Sequence, residues 1–422
     1  MDSDQFAELT AWITEAGLAG QSETATLTGF CERALALGLP LARVNVVIDT
    51  LHPIYEGRAF TWTQKRKETL LTEFGRSEER LDVWERSPFY RLELTGESSL
   101  RRRLNAETEG EFSIFADLRA EGMTEYLAIT NRFAAEGIIG DMDCVYSSWA
   151  TDAPQGFRDS DVADLSRLVP MVALTLKSAS LTRIAGTLVE TYLGRDAGRK
   201  VLGGRIARGV ADRIEAVLWF SDLRNYTRIS DSADPEQIIP LLNEYADAIL
   251  STIHAHEGDV LKLIGDGTLA IFTAADRATA CHAALTAALE ARRAVAVVNQ
   301  RRMAASLPTT DMYLGLHVGE VYYGNIGSEE RLDFTVVGPA VNEVSRIASM
   351  CRSLDQPVLI SSAFASAIGE PKRLLVSVGR YALRGVERPQ SLFTVDRESI
   401  ALDSVASEVQ PASKLTQQSD ID

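Results

Sequence analysis

The sequence predicts an α+β protein built from two globular regions. Three observations predict it. From about Ile214 onward, short β-rich runs alternate with amphipathic helical patterns, the signature of a helix-and-sheet sandwich. Ahead of them, four extended runs sit between an N-terminal helical pattern and one long helical pattern. Between the two regions lies "GRDAGRKVLGGRIARGVAD", residues 194–212, a glycine- and arginine-rich connection.

Composition narrows the function classes. The chain has 422 residues, a net charge of −16 and 24% charged residues. An acidic balance argues against a nucleic-acid partner, which needs a basic face to displace counterions. Four scattered cysteines, Cys31, Cys144, Cys281 and Cys351, lack metal-ligand spacing and read as free thiols. The N-terminus is acidic and amphipathic rather than a basic-apolar leader. The longest apolar run, "LVPMVALTL", falls well short of the roughly 20 residues of a membrane helix. The expectation is a soluble, cytoplasmic protein with no membrane span.

The elements follow in order. Residues 1–37 carry apolar side chains at helical spacing, Phe6, Leu9, Ile13, then Leu27, Phe30 and Ala34. "ARVNVVIDTLHPIYEGRAFTWT" gives two extended runs around a turn. "EYLAITNRF" and "IGDMDCVYSSWAT" give two more, split by the loop "AAEG". A long helical pattern follows, with Ser160 or Asp161 as its cap and Pro170 inside it. This region reads as one domain over residues 1–180, joined by a helical, glycine-rich linker at 181–212.

The second region spans 213–397. "IEAVLWFSD" is a strand, "PEQIIPLLNEYADAILSTIHAHEG" a helix and "DVLKLIGDGTLAIF" a hairpin. An Ala-rich helix follows from Ala274. "MYLGLHVGEVYYGNIG" reads as a strand pair, and "LDFTVVGPAVNEVSRIAS" as a strand running into a helix. "PVLISSAFASAI" and "YALRGVERPQSLFTV" close the region, and residues 398–422 read as a polar, disordered tail.

Two carboxylates carry the chemical signal. Asp222 ends an apolar strand and Asp266 sits at a hairpin turn. If those strands are neighbours, both carboxylates converge where a divalent cation could join them to a phosphate ligand. Each alone has an ordinary explanation, an N-cap for Asp222 and a turn dipeptide for Asp266. Lys262 lies in the same hairpin, four residues from Asp266, on the same face if the strand reaches the turn. His254 and His256 are two apart on a helix and point different ways, so a solvated helix end explains them. His52 and His317 read as structural.

Taken together, "FSDLRNYT", "LKLIGDGTLAIF", "GLHVGEVYYGNIGS", "DFTVVGPAVNEVSRI" and "YALRGV" resemble, in order and spacing, the catalytic domain of class III nucleotidyl cyclases. The first region resembles a GAF-type sensor by pattern order alone. The cyclase resemblance implies a ferredoxin-like α/β sandwich. It implies that Asp222 and Asp266 bind two Mg²⁺ or Mn²⁺ ions per site, with the Leu223 carbonyl as a backbone ligand. It places the loop Leu223, Arg224, Asn225, Tyr226 and Thr227 around the nucleotide phosphates. Lys262 and Thr335 would read the base, and Asn342 and Arg346 would orient the ribose and stabilise the α-phosphate. Arg384 stands where mammalian-type enzymes carry Lys, and Arg331 is a further phosphate candidate.

The resemblance further implies a homodimer with sites shared between two chains. Lys262 is a pure donor and Thr335 can accept, which suits adenine, so ATP is the expected substrate and 3′,5′-cyclic AMP with pyrophosphate the product. The alternatives are a guanylate cyclase and a catalytically silent nucleotide-binding regulator. A small-molecule or protein signal is expected at the first region.

Overall fold

The computed structural model describes residues 1–75, 77–133, 139–140, 142–369, 374–386 and 388–396. The chain divides into two compact units, Met1–Leu188 and Val189–Asp422. The loop expected at 134–137 and the tail from 398 lie outside the described residues.

In the first unit the N-terminal pattern forms two helices rather than one, α1 (Ser3–Leu18) and α2 (Glu23–Ala36). Gly20 turns the chain with φ +65°, and the Ser22 hydroxyl accepts the Ala25 N–H to start the second helix. Then come β1 (Arg43–Asp49), β2 (Gly57–Thr63), β3 (Glu68–Phe74), α3 (Glu78–Glu85), α4 (Pro88–Thr95), β4 (Ser99–Arg103), α5 (Ile114–Ala120), β5 (Glu125–Arg132), β6 (Cys144–Thr151) and α6 (Asp159–Leu193). Among the described residues the six strands form one antiparallel sheet in the order β3-β2-β1-β6-β5-β4.

The four expected strands are the central ones. The two edge strands were not expected, because edges carry weak apolar patterns. β4 reads "SLRRR", and its charges are met locally: Arg101 Nε donates to Glu125 at 2.9 Å and Arg102 Nε to Glu111 at 3.0 Å. One sheet face packs Trp62 and Trp149 against Leu9, Phe30, Leu168 and Val172 of the helices. The other packs Tyr126 and Tyr146 against Leu92 and Phe115.

The helix α6 corrects the sequence reading twice. It starts at Asp159, so Ser160 lies inside its first turn, while the Asp161 carboxylate accepts the Arg158 N–H at 2.9 Å. By length and composition it is also apolar enough to cross a membrane. Its stripe Leu165, Leu168, Val169, Val172 and Leu176 is buried in the core of the unit. Pro170 sits on its exposed side without ending the helix.

The second unit continues with α7 (Arg195–Leu202), β7 (Ala211–Leu223), α8 (Tyr226–Ser232), α9 (Pro235–Ala255), β8 (Asp259–Ile264), β9 (Gly267–Phe272), α10 (Arg277–Ala304), β10 (Met312–Gly327), β11 (Leu332–Val337), α11 (Pro339–Leu354), β12 (Val358–Ser361), α12 (Ser362–Ala367), β13 (Leu375–Tyr381) and β14 (Gln390–Val395). The strand order is β13-β14-β12-β10-β7-β9-β8, with β11 paired to β10. α9 and α10 bury Tyr245, Ile249, Ala284 and Ala288 against Val217, Trp219, Leu314 and Leu316. α11 covers the opposite face, where Val344 and Ala340 meet Ala216 and Leu218.

The strand pair expected at 312–327 is a single 16-residue strand. Within it Gly315 serves close packing. A Cβ there would stand 2.7 Å from the Val344 carbonyl oxygen, so only glycine lets α11 approach β10. The segment "GRDAGRK", expected as linker, forms most of α7. All four cysteines are buried and free.

Candidate active site

Sheet pairing builds the centre of the site. β7 and β9 are antiparallel neighbours, with Ser221 opposite Thr268. Asp222 therefore leaves the end of β7 beside the β8–β9 turn that carries Asp266. That turn is two residues long, since Ile264 pairs with Gly267. Gly265 takes φ +65° in it, a conformation that costs glycine nothing.

Both carboxylates meet at one backbone group. The Leu223 N–H donates to Asp222 Oδ1 at 3.1 Å and to Asp266 Oδ2 at 3.2 Å. Burial and the neighbouring Asp266 carboxylate push Asp222 up to about 7. Two like charges held this close favour either a shared proton or a cation. The chemistry of this pair fits a hard divalent ion, which takes oxygen donors and completes its shell with water or phosphate. Among the described residues no cluster of three or more His, Cys, Asp or Glu side chains offers a protein-only cage.

The loop after Asp222 is partly engaged already. Leu223 is 5% exposed and its N–H serves the carboxylates. The Arg224 N–H donates to the Asp311 carbonyl at 2.7 Å, and the Arg224 carbonyl accepts from the Thr310 hydroxyl at 2.6 Å. Asn225 adopts φ +58° and opens α8, so Tyr226 and Thr227 stand in its first turn, where N–H groups lack intrahelical partners. A buried network fixes this loop from behind. The Tyr245 hydroxyl bonds Asn299 and accepts the Thr310 N–H at 2.9 Å, and Asn299 Nδ2 donates to the Thr310 carbonyl at 2.7 Å. Sequence reasoning missed this network, whose members lie on separate elements.

Lys262 lies on β8 beside a bulge between Val260 and Lys262. The strand ends at Ile264, so Asp266 belongs to the turn and the same-face spacing argument from Lys262 does not apply. Lys262 forms an ion pair with Asp333 on β11, a residue not singled out from sequence. Thr335 is two positions further along β11 and is 7% exposed. The signal available in the sequence was that alternation puts Asp333 and Thr335 on one face.

Asn342 and Arg346 lie one turn apart on the exposed side of α11, opposite its buried stripe of Val344, Ile347 and Cys351. Arg331 is exposed in the turn before β11, where its N–H donates to the Ser328 hydroxyl at 3.1 Å. Arg384 is exposed in the turn after β13, at the far end of the sheet order from β9 and β8. The sheet thus gathers Asp222, Asp266 and Leu223, and separately Lys262, Asp333 and Thr335. It does not bring Arg384 to the carboxylate pair by strand adjacency.

Three of the five histidines have structural partners. His52 Nδ1 accepts the Ile54 N–H at 3.1 Å in a turn. His256 Nε2 lies 2.8 Å from Glu290. His317 is buried, with Nδ1 2.9 Å from the Ser361 hydroxyl.

Residues 211–396 match the family model described as "Adenylate and Guanylate cyclase catalytic domain". The chain is 30% identical over 219 residues to "Adenylate cyclase 1" of Rhizobium meliloti (strain 1021), covering 50% of this chain and 33% of that protein. It thus spans about a third of that relative's length. Among solved structures, it is 25% identical to the adenylyl cyclase CyaB from P. aeruginosa, covering 44% of this chain and 95% of that one with a TM-score of 0.41. It is 30% identical to the guanylyl cyclase Cya2, covering 44% and 93%, with a TM-score of 0.39.

Proposed function

Because residues 211–396 form a class III adenylate and guanylate cyclase catalytic domain, we propose that the protein is an adenylate cyclase working as a homodimer. The observation that carries the reading is the convergence of Asp222 and Asp266 on one N–H group at adjacent strand ends. Asp222, Asp266 and the Leu223 carbonyl would hold Mg²⁺ or Mn²⁺. A bound divalent ion supplies Lewis acidity at the reacting oxygens and neutralises phosphate charge.

The reaction joins the ribose 3′-oxygen of ATP to its α-phosphorus and breaks the bond from that phosphorus to the bridging oxygen. Cyclic AMP and pyrophosphate result, and the 3′-hydroxyl proton passes to substrate phosphate or solvent. The first turn of α8, at Tyr226 and Thr227, offers N–H groups to the phosphates. Arg346 would place its guanidinium against the α-phosphate as charge grows there, and Asn342 would orient the ribose. Arg331 and Arg384 are secondary candidates for the terminal phosphates.

Two features support a shared site. Asn342 and Arg346 face outward from α11. Leu263 and Ile264, beside Asp266, are 56% and 47% exposed, an apolar edge suited to a second copy of the chain. The names of the relatives divide between adenylyl and guanylyl cyclases, so base choice rests on this chain's own residues. Lys262 donates and Thr335 can accept, a pattern that suits adenine. The first unit, a sheet covered by helices on both faces, is read as a GAF-like sensor acting through the segment before β7.

The test is cyclic nucleotide formation by the purified full chain with ATP or GTP and Mg²⁺ or Mn²⁺. ATP should be preferred by at least about tenfold in kcat/KM, and Asp222→Ala and Asp266→Ala should each lose about a hundredfold or more. Lys262→Glu should shift preference towards GTP. Nucleotide binding without product would instead identify a silent regulator, and equal use of GTP would overturn the adenine assignment.

A further inference from the structure

We propose that Thr310 is a positioning residue that clamps Arg224 and so aims the Leu223 carbonyl at the cation. The inference rests on the reading above, in which that carbonyl is a metal ligand beside Asp222 and Asp266.

The direction of the carbonyl follows from the strand. Leu223 ends β7, which runs between β10 on one side and β9 on the other. The Leu223 N–H donates to Asp222 and Asp266, so it faces the carboxylates. In a strand the N–H and C=O of one residue leave on the same side, and the next residue turns both the other way. The Arg224 N–H accordingly reaches the Asp311 carbonyl at 2.7 Å, and the Arg224 carbonyl accepts from the Thr310 hydroxyl at 2.6 Å. A trans peptide sets its N–H and C=O on opposite sides. Holding Arg224 against residues 310 and 311 therefore turns the Leu223 carbonyl towards the carboxylates.

Thr310 supplies the side-chain half of this clamp. Its hydroxyl has one proton, and the other acceptor in reach, the Asp311 carbonyl, lies at 3.2 Å, so the 2.6 Å bond takes the proton. That bond holds the last peptide group before Asn225, which takes φ +58°. A residue other than glycine is uncommon in that region and has to be held there by its surroundings. The clamp is braced from behind. Tyr245 of α9 accepts the Thr310 N–H at 2.9 Å, and Asn299 of α10 donates to the Thr310 carbonyl at 2.7 Å. Buried Arg302 of α10 donates to the Pro308 carbonyl at 2.7 Å and pairs with Glu244 of α9 at 2.6 Å. Two helices thus fix residues 308–310, and the Thr310 hydroxyl passes that fixity to the loop. Groups that orient a metal ligand are commonly worth tenfold or more in metal affinity.

The experiment compares wild type, Thr310→Val, Thr310→Ser and Tyr245→Phe as full chains. Mn²⁺ binding is read by electron paramagnetic resonance in the presence of 3′-deoxy-ATP, which lacks the attacking hydroxyl. The cation concentration for half-maximal cyclisation of ATP is read beside it, for Mg²⁺ and Mn²⁺. Thr310→Val, which keeps shape and loses the hydroxyl, is expected to weaken Mn²⁺ binding about tenfold. Its Mg²⁺ requirement should rise more than its Mn²⁺ requirement, because Mg²⁺ demands near-ideal octahedral geometry. Thr310→Ser should recover most of both. Tyr245→Phe leaves the clamp in place and loosens its brace, so it should weaken Mn²⁺ binding several-fold. It carries the test if Thr310→Val does not fold. Unchanged Mn²⁺ affinity in folded Thr310→Val overturns the proposal, even if activity falls. So does a Thr310→Ser variant as weak as Thr310→Val. Mn²⁺ binding that survives Asp222→Ala places the ion elsewhere and overturns it too. If wild type binds Mn²⁺ but forms no cyclic product, it is the adenylate cyclase reading that fails. Mn²⁺ affinity in the same variants then still decides whether Thr310 positions the ligand.

Discussion

At the residue scale, the paired carboxylates of the candidate site are arranged against the stability of the free chain. Asp222 is pushed up to about 7 by burial and by the Asp266 charge beside it. For a carboxylate whose folded pKa is raised, the ionised form opposes folding above that value and the penalty vanishes below the unfolded one. Asp222 is exposed, which screens the repulsion. Asp222→Asn is therefore expected to stabilise the cation-free chain by roughly 1 kcal/mol while abolishing cyclisation. Thermal melts with chelator, paired with an activity assay, check both halves. A lowered melting temperature would contradict the repulsion. Stability and function conflict here, as expected where a site awaits a ligand.

At the scale of elements, His317 ties three of them together. It sits on β10, bonds Ser361 at the end of β12 and lies 3.5 Å from Glu343 on α11. Burial lowers the imidazole to about 4, so it is neutral at pH 7 and the Glu343 contact is not an ion pair there. Burial also raises the Glu343 carboxyl. The unfolded chain binds the His317 proton near pH 6.5 and the folded chain only near 4. This contribution to stability is intact above 6.5 and drains away as pH falls towards 4, by up to about 3 kcal/mol. Denaturant unfolding of wild type and His317→Gln from pH 7.5 to 4 reads it: the difference between them should shrink as pH falls. Parallel curves would refute the assignment. The elements themselves were unevenly legible. β1, β2, β5 and β6 are central strands with strong apolar patterns, and β7, β8 and β9 carry the motif residues, so all were readable. β3 and β4 were not, because edge strands expose their side chains and β4 meets its arginines with ion pairs.

For the whole molecule, the proposed division of labour has a direct test. If Asp222 serves a site whose Arg346 comes from the other chain, Asp222→Ala and Arg346→Ala should each be inactive alone. Mixed and allowed to exchange, they should recover activity up to about a quarter of wild type, since half the dimers are heterodimers with one complete site of two. No recovery, with exchange verified by mass, would place both groups in a site within one chain. Light scattering on Leu263→Asp adds the physical control, since a charge on that exposed apolar edge should weaken the dimer.

The sequence by itself determined the family, the alternation of helices and strands, and the choice of two candidate carboxylates. These are local facts: apolar period, turn residues and short motifs with fixed spacing. Only the tertiary structure decided that Asp222 and Asp266 share the Leu223 N–H, and that Lys262 meets Asp333 rather than standing free. Asp222 is 44 residues from Asp266 by numbering, and Lys262 is 71 from Asp333. Such pairings depend on strand order, on a bulge and on β11 folding over β8 through Phe334 and Val336. Long-range register is set by the packing of whole faces, which no local pattern in the chain encodes.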